Sequence, residues 1–189
     1  MVIHSQAASQ LLVRVGEYHL NEDDPDQQDI PVKTILLHED YDSYSLHNDI
    51  CILELDGIAD FSSPYIGYID LPLAGEEYPV GEECVVCGWG TTSEDGSHPT
   101  VLMKVTIPLV SDDTCRAAYG EDEIVSSQVC AGPVAGGKDS CTGDDGGPLM
   151  CGSQLSGVVS WGYGCARPAL PGIYTQTSYY VPWINRHIK

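Results

Sequence analysis

The segment from Lys138 to Met150, KDSCTGDDGGPLM, constrains the fold of this chain more than any other stretch. It combines a cysteine with several glycines. A glycine has no Cβ, so its backbone can come close to a bound chain and present its N–H group to a substrate oxygen. The segment therefore predicts a tight loop at a binding site, where backbone N–H groups face a ligand.

The composition favours an all-β protein. Hydrophobic residues make up 42% of the 189 residues, and the 20 glycines and 12 prolines are typical of many short strands joined by tight turns. A chain of this length suits one domain or two small barrels that share an interface, and it is long enough to bury a sizeable core.

The net charge restricts the partners of the chain. With 8 Lys and Arg against 28 Asp and Glu, the formal charge is −20 and the isoelectric point lies near 4.2. This charge argues against nucleic acid and anionic membranes and favours cationic partners or metal ions, although solubility alone would also explain it. No apolar run approaches the ~18 residues of a membrane span. Residues 1–15 lack the apolar region of a signal peptide.

The eight cysteines indicate an oxidising compartment. This indication conflicts with the lack of an export signal in the chain. A missing N-terminal segment would reconcile the two observations.

The segment 138–150 resembles the nucleophile loop D-S-C-x-G-D-S-G-G-P of the trypsin-type serine proteases of the chymotrypsin family. The strings CGWG, SWG, GYGC and LPG elsewhere in the chain follow the family order. The resemblance covers nearly all of residues 11–189 and is greatest to the acidic digestive trypsins of arthropods. It implies an all-β fold of two six-stranded Greek-key barrels, the first incomplete, with a C-terminal α-helix. The implied unit is one truncated peptidase domain, 1–189, with a partial N-terminal barrel in 1–59, a linker in 60–83 and a C-terminal barrel with the terminal helix in 84–189.

The loop departs from the family at its reactive position, where Asp145 stands in place of the nucleophilic serine. A serine hydroxyl gives its proton to a base and forms an ester that water later hydrolyses. A carboxylate would have to form an anhydride with a peptide carbonyl, and an amide is a poor electrophile for that reaction. We therefore predict a catalytically inactive chain. The resemblance still implies that the N–H groups of Gly143 and Asp145 form an oxyanion site, and that Asp49 holds the position of the triad aspartate.

No histidine of the sequence clearly matches the general base of the family. The family signature T-A-A-H-C is absent, and His4, the nearest histidine, is followed by Ser5 in place of the usual cysteine. Either residues 1–5 are an altered form of the signature, or the chain starts just after it. We prefer the second register, in which His4 belongs to an ordinary loop. The other histidines are expected at the surface: His19, His38, His47, His98 and His187.

The resemblance also implies a pocket for a basic side chain. Asp139 matches the residue that supplies an anion to the pocket of trypsin-type enzymes, and Gly162 and Gly172 match its open walls. Residues 160–162 match the strand that pairs with a substrate backbone. We therefore expect a cavity that prefers Lys or Arg. The predicted substrate-binding residues are Asp139, Ser140, Ser160, Trp161, Gly162 and Gly172.

Asp144 is expected to lack the ion-pair partner that it has in the family. In the family, the matching aspartate forms an ion pair with the N-terminal amine of the mature enzyme, and the segment that carries this amine is absent from the sequence. An unpaired buried carboxylate either protonates or turns outward.

Family pairing implies three disulfides, each of which would stabilise the fold by ~2 to 4 kcal/mol. Two further cysteines, Cys51 and Cys87, are left either as an additional disulfide or as buried thiols. The three implied pairs are Cys84–Cys151, Cys115–Cys130 and Cys141–Cys165.

The segment 17–29 is rich in carboxylates, which are preferred Ca²⁺ ligands. In the family, the equivalent loop often binds calcium. Glu17 and Asp24 match its carboxylate ligands, and His19 and Glu22 match its carbonyl donors, whereas Gln27 stands where a third carboxylate is usual. A calcium site and an unliganded solvated loop both stay open, and the predicted function requires no cofactor.

We therefore predict a non-catalytic homologue of trypsin-type proteases that binds Lys- or Arg-bearing chains or protease inhibitors. It is expected to be an extracellular monomer that binds neither nucleic acid nor membranes. One alternative is an active endopeptidase whose gene model is truncated or contains an error at Asp145, and another is a truncated product without a stable fold. The string GDD at 143–145 also occurs in polymerase metal sites, but the cysteines and the acidic charge oppose that interpretation.

Overall fold

The computed structural model describes residues 6–188 of the chain. These residues form nine β-strands and two α-helices, with a short 3₁₀ helix (Ala8–Gln10) before the first strand. The helices are α1 (Asp112–Tyr119) and α2 (Thr177–His187). The strands are β1 (Leu12–Val15), β2 (Gln28–Leu37), β3 (Cys51–Leu55), β4 (Glu83–Gly88), β5 (Met103–Val110), β6 (Gln128–Ala131), β7 (Pro148–Cys151), β8 (Gln154–Trp161) and β9 (Gly172–Gln176).

Strands β1, β2 and β3 form an open three-stranded antiparallel sheet. Strand β2 lies in the middle, and its Leu37 pairs with Cys51 of β3. Alternate residues of β2 face the core, where Ile30 and Val32 are buried. This sheet agrees with the predicted incomplete first barrel.

The remaining strands close a six-stranded barrel in the order β4-β5-β6-β9-β8-β7, with β7 pairing back to β4. Apolar side chains fill its interior, among them Val86, Ile107, Leu149 and Tyr174. Burial along β4 alternates as expected for a strand, with Cys84 and Val86 in the interior and their neighbours less buried. The predicted all-β fold with a complete second barrel is confirmed.

Helix α2 joins the open sheet to the closed barrel. Its buried residues Tyr180, Trp183 and Ile184 pack against Ile50 and Ile52 at the start of β3. The helix also contacts β8 of the barrel. The predicted C-terminal helix is therefore confirmed, and it places β3 next to the barrel.

Two hydrogen bonds from α2 hold the connection between β2 and β3. The hydroxyl of Tyr180 donates to Asn48 Oδ1 at 2.8 Å, and Trp183 Nε1 donates to Glu39 Oε2 at 2.8 Å. Buried Tyr and Trp side chains commonly use their polar atoms in this way. Because Asn48 precedes Asp49, the helix contributes to the position of Asp49.

The first helix has a well-formed N-terminus. The Oγ of Ser111 accepts the N–H of Thr114 at 3.1 Å, which satisfies one free donor of the first turn. Asp112 and Asp113 lie in that turn, where negative charge is favourable. Neither of the helices described within residues 6–188 is long and apolar enough to cross a lipid bilayer.

All three predicted disulfides are present in the structure. Cys51 and Cys87 are half-buried thiols, in line with the second of the two alternatives. Burial raises the pKa of both thiols, which favours their protonated form. The disulfides join β4 to β7 (Cys84–Cys151), α1 to β6 (Cys115–Cys130), and the loop before β7 to the loop before β9 (Cys141–Cys165).

We expect the closed barrel to depend on the packing of Leu149. Leu149→Ala should lower the free energy of unfolding by about 2 to 5 kcal/mol, because the side chain is 0% exposed and its truncation leaves a cavity. Leu73→Ala is the control, since Leu73 is 75% exposed and its truncation should cost less than about 0.5 kcal/mol. Urea denaturation followed by tryptophan fluorescence measures both values. Equal losses in the two variants would contradict the described core.

Candidate active site

The residues predicted to bind substrate line one cavity of about 480 Å³. The cavity lies between the loop that precedes β7 and the end of β8. It contains both the acidic position and the reactive position of the predicted site. The predicted residues on its wall are Asp139, Ser140, Asp145, Ser160, Trp161, Gly162 and Gly172.

Asp139 is half-buried, and backbone groups hold its carboxylate. Oδ1 accepts the N–H of Ser140 at 2.9 Å, and Oδ2 accepts the N–H of Ala166 at 2.9 Å. Burial raises the pKa of Asp139 to about 6; the two N–H donors oppose this change, and the negative charge of Asp144 adds to it. Above this pH the cavity holds a fixed anion that can bind an ammonium or guanidinium group.

Gly172 leaves space beside the Asp139 carboxylate. A Cβ at Gly172 would lie 2.6 Å from Asp139 Oδ1, so a side chain here would displace the carboxylate. A Cβ at Gly162 would meet only ordinary contacts, with the Gly164 carbonyl oxygen at 3.7 Å. The Asp139 carboxylate can therefore keep its position only if residue 172 is a glycine. Gly162 instead leaves the cavity wall free of a side chain.

Tyr174 is a site residue that the sequence analysis missed. It is fully buried, and its hydroxyl lies 3.0 Å from Ser140 Oγ. Burial raises the pKa of Tyr174 far above the usual tyrosine value, so the hydroxyl stays protonated. Tyr174 thus holds Ser140, the neighbour of Asp139, from the barrel interior. The spacing was an available signal, because residues two apart in a strand, such as Gly172 and Tyr174 in β9, face the same side.

Asp49 is bonded to the barrel across its junction with the open sheet. Ser160 Oγ donates to Asp49 Oδ2 at 2.8 Å, and Thr175 Oγ1 donates to the main-chain carbonyl of Asp49 at 2.8 Å. These bonds place Asp49 beside β8, whose end lines the cavity. A triad aspartate at such a position would orient a histidine. His4, the remaining candidate for that histidine, lies outside the described residues.

Of the two outcomes expected for Asp144, protonation and turning outward, the structure contradicts the second. The Asp144 carboxylate points into the protein, where Oδ1 accepts the N–H of Gly90 at 2.8 Å and Oδ2 accepts the N–H of Cys141 at 3.0 Å. A Cβ at Gly90 would lie 2.5 Å from Asp144 Oδ2, so the absence of a side chain makes room for the carboxylate. Two backbone donors therefore hold the carboxylate. The sequence did not reveal this contact, because Gly90 lies 54 residues before Asp144.

His98 contacts the predicted oxyanion residue Gly143. A Cβ at Gly143, which has a φ of +99°, would lie 2.7 Å from His98 Cε1. His98 Nδ1 donates to the carbonyl of Trp89 at 3.0 Å, so Nε2 is the acceptor in the neutral ring. The residue is exposed, as expected, but its position beside the glycine-rich loop was not predicted.

A contact between Asp24 and His19 holds the acidic segment 17–29. Asp24 Oδ2 accepts the N–H groups of Tyr18 and His19 at 2.6 and 2.7 Å, and Asp24 Oδ1 lies 2.9 Å from His19 Nδ1. The bond between the two side chains raises the pKa of His19 and, with the two N–H donors, lowers the pKa of Asp24 to about 2. Glu17 Oε2 lies 3.6 Å from Arg14 Nη1. Within residues 6–188 no three His, Cys, Asp or Glu side chains converge as a metal site, and the calcium site stays a prediction.

The closed barrel, the glycine-rich loop and the acidic cavity together define a protein of the serine-protease class. The family model described as Trypsin matches residues 2–184, and the chain belongs to the trypsin family. Trypsin-1 of Astacus astacus is 49% identical over 181 residues, which cover 94% of this chain and 75% of the relative. Serine protease 1 of Rattus norvegicus is 42% identical over 178 residues, with coverage of 94% and 71%. Anionic trypsin of Bos taurus is 41% identical over 177 residues, with coverage of 93% and 70%.

The space beside Asp139 predicts the effect of a single methyl group. Gly172→Ala should weaken the binding of benzamidine, a small amidinium, by at least about tenfold, because the methyl group would displace the carboxylate. Gly67→Ala is the control, since a Cβ at that position would have no atom within 4 Å beyond the adjacent residues of the chain. Isothermal titration calorimetry measures both affinities. Undiminished binding by Gly172→Ala would show that the amidinium binds elsewhere.

Proposed function

We propose that this member of the trypsin family binds Lys- or Arg-bearing chains, or protease inhibitors that present such side chains, without cleaving them. The observation that carries the proposal is the Asp139 carboxylate, held by two backbone N–H groups in a cavity that Gly172 keeps open. A fixed anion in a narrow cavity favours a ligand with one long cationic side chain. The net charge of −20 adds long-range attraction for basic partners.

Asp145 supports binding without cleavage. It lines the same cavity as Asp139, at the position where the resembling proteases have their nucleophilic serine. Loss of the nucleophile costs such enzymes ~10⁶ in turnover, whereas the affinity for a basic side chain depends on other residues. We further propose that Asp145 directs its carboxylate towards the N–H group of Gly143 and occupies the oxyanion site.

An active endopeptidase is the second candidate. The hydrogen bond from Ser160 to Asp49 favours it, because this bond fixes the carboxylate that would orient a general base. The candidate requires a serine at position 145 in the protein that is made. Mass spectrometry of the peptide that contains residue 145, prepared from the natural source, therefore separates the two functions. The closed barrel with its three disulfides favours both over a truncated product without a stable fold.

The three disulfides support an extracellular location. We propose that the protein acts there as a monomer, without nucleic acid or membrane as a partner. Calcium is proposed only as an accessory ion of the segment 17–29, with Glu17 and Asp24 as its carboxylate ligands. The metal would have to replace the contact between Asp24 and His19, and no step of ligand binding depends on it.

Binding of benzamidine should follow the ionisation of Asp139. Because burial raises the pKa of this carboxyl to about 6, it is neutral at lower pH and charged at higher pH. The affinity should rise from about pH 5 to about pH 7 and then level off, approaching about a tenfold change per pH unit on the acid side. Asp139→Asn should abolish both the binding and its pH dependence. Calorimetric titrations across this range test the prediction, and an affinity independent of pH would contradict the role of Asp139.

The unmodified chain should not hydrolyse an arginine ester. In the preferred register, Asp145→Ser should restore hydrolysis only together with an upstream segment that carries the family histidine, because the serine needs a base. A spectrophotometric ester assay measures the turnover, with Asp145→Ala as the control that supplies neither carboxylate nor hydroxyl.

Two results of this assay would change the conclusion. Turnover by Asp145→Ser alone that disappears when His4→Ala is added would assign His4 as the base and reject the preferred register. Turnover by the unmodified chain that a trypsin inhibitor abolishes would overturn the proposal of binding without cleavage.

A further inference from the structure

We infer that Glu94 and Arg167 form an ion pair that positions the Asp139 cavity, and the inference rests on the proposed function for its ligand. Glu94 lines the cavity, and Arg167 follows the residue whose N–H holds Asp139. Glu94 Oε2 accepts Arg167 Nε at 2.8 Å and the N–H of Cys165 at 3.2 Å, and Glu94 Oε1 accepts Arg167 Nη2. A guanidinium that engages both oxygens of a carboxylate fixes their relative orientation.

The segment 164–167 carries hydrogen-bond partners for both carboxylates. The N–H of Cys165 donates to Glu94, and the N–H of the next residue, Ala166, donates to Asp139 Oδ2 at 2.9 Å. Ala166 has a φ of +56°, an uncommon conformation for a residue with a Cβ, so surrounding contacts must hold it. The ion pair therefore holds the Ala166 N–H in place, and this N–H in turn orients the Asp139 carboxylate.

Glu94, the acidic partner of the ion pair, is connected through its own segment to the glycine-rich loop that contains Asp145. Glu94 belongs to the segment 90–98, whose first N–H holds the Asp144 carboxylate. The N–H of Thr91 donates to the carbonyl of Thr142 at 2.9 Å. The pair thus links the glycine-rich loop to the segment 164–167, and Glu94 and Arg167 are positioning residues for the cavity.

The pair is partly exposed, with 35% of the Glu94 side chain and 52% of the Arg167 side chain accessible. Exposed ion pairs contribute little to global stability. We therefore expect a local effect, in which the exchange of the Ala166 amide and the affinity for a basic ligand change while the unfolding midpoint does not. If the pair stabilised the whole fold, its loss would change the amide exchange, the ligand affinity and the unfolding midpoint together.

Neutralising either partner tests the inference. Glu94→Gln and Arg167→Gln should each weaken benzamidine binding by about three- to tenfold, and the double variant should lose no more than either single variant, because all three remove one interaction. Calorimetry gives the affinities, and amide hydrogen exchange by NMR should show faster exchange at Ala166. Glu54→Gln is the matched control, because Glu54 makes a comparable surface pair with Lys33 at 2.6 Å on the open sheet. It should leave both measurements unchanged.

The measurements separate failure of the inference from failure of the proposed function. Exchange at Leu149 in the barrel core must stay as in the unmodified protein, which shows that the variants fold. Unchanged exchange at Ala166 overturns the inference whatever the ligand does, and faster exchange with unchanged affinity overturns the role of the pair in binding. Faster exchange at Ala166 in a protein that does not bind benzamidine even when unmodified supports the positioning and overturns the proposed function.

Discussion

The carboxylate of Asp144 is the interaction on which the glycine-rich loop depends. It accepts one N–H from Gly90, after β4, and one from Cys141, within its own loop. Because these donors come from two separate parts of the barrel, the carboxylate holds the loop in one orientation and sets the place of Asp145. The disulfide between Cys141 and Cys165 ties this loop to the loop on the other side of the cavity, so the two loops constrain each other.

Asp139 and Asp144 lie close together in the sequence, but their carboxylates have different environments. Each carboxylate accepts two backbone N–H groups, but only Asp139 also lines the cavity of about 480 Å³. Burial, together with the charge of Asp144, raises the pKa of Asp139, and backbone donors keep the shift moderate. Near neutral pH the cavity therefore holds a negative charge, and Asp145, which has no hydroxyl group, lies on the same cavity wall.

Much of the site was predictable because its signals are local in sequence. Asp139 is the first residue of the family motif and Gly172 is the last residue of the string LPG, so their place in the cavity was predictable without knowledge of distant contacts. The donors to Asp144, the support from Tyr174 and the pair between Glu94 and Arg167 were not predicted. Each joins segments far apart in the chain, and single-sequence patterns contain no record of which distant segments meet.

By itself, the sequence determined the family, the all-β fold, the disulfide partners through family resemblance, and the replacement of the serine by Asp145. These follow from residue identity and short-range spacing. Tertiary structure alone decided that Asp144 points inward, that Cys51 and Cys87 are thiols, and that Ala166 bonds Asp139. The reason is physical, since a buried carboxylate must accept hydrogen bonds from the donors near it. Closure of the barrel by β4 to β9 brings together donors from segments far apart in the chain.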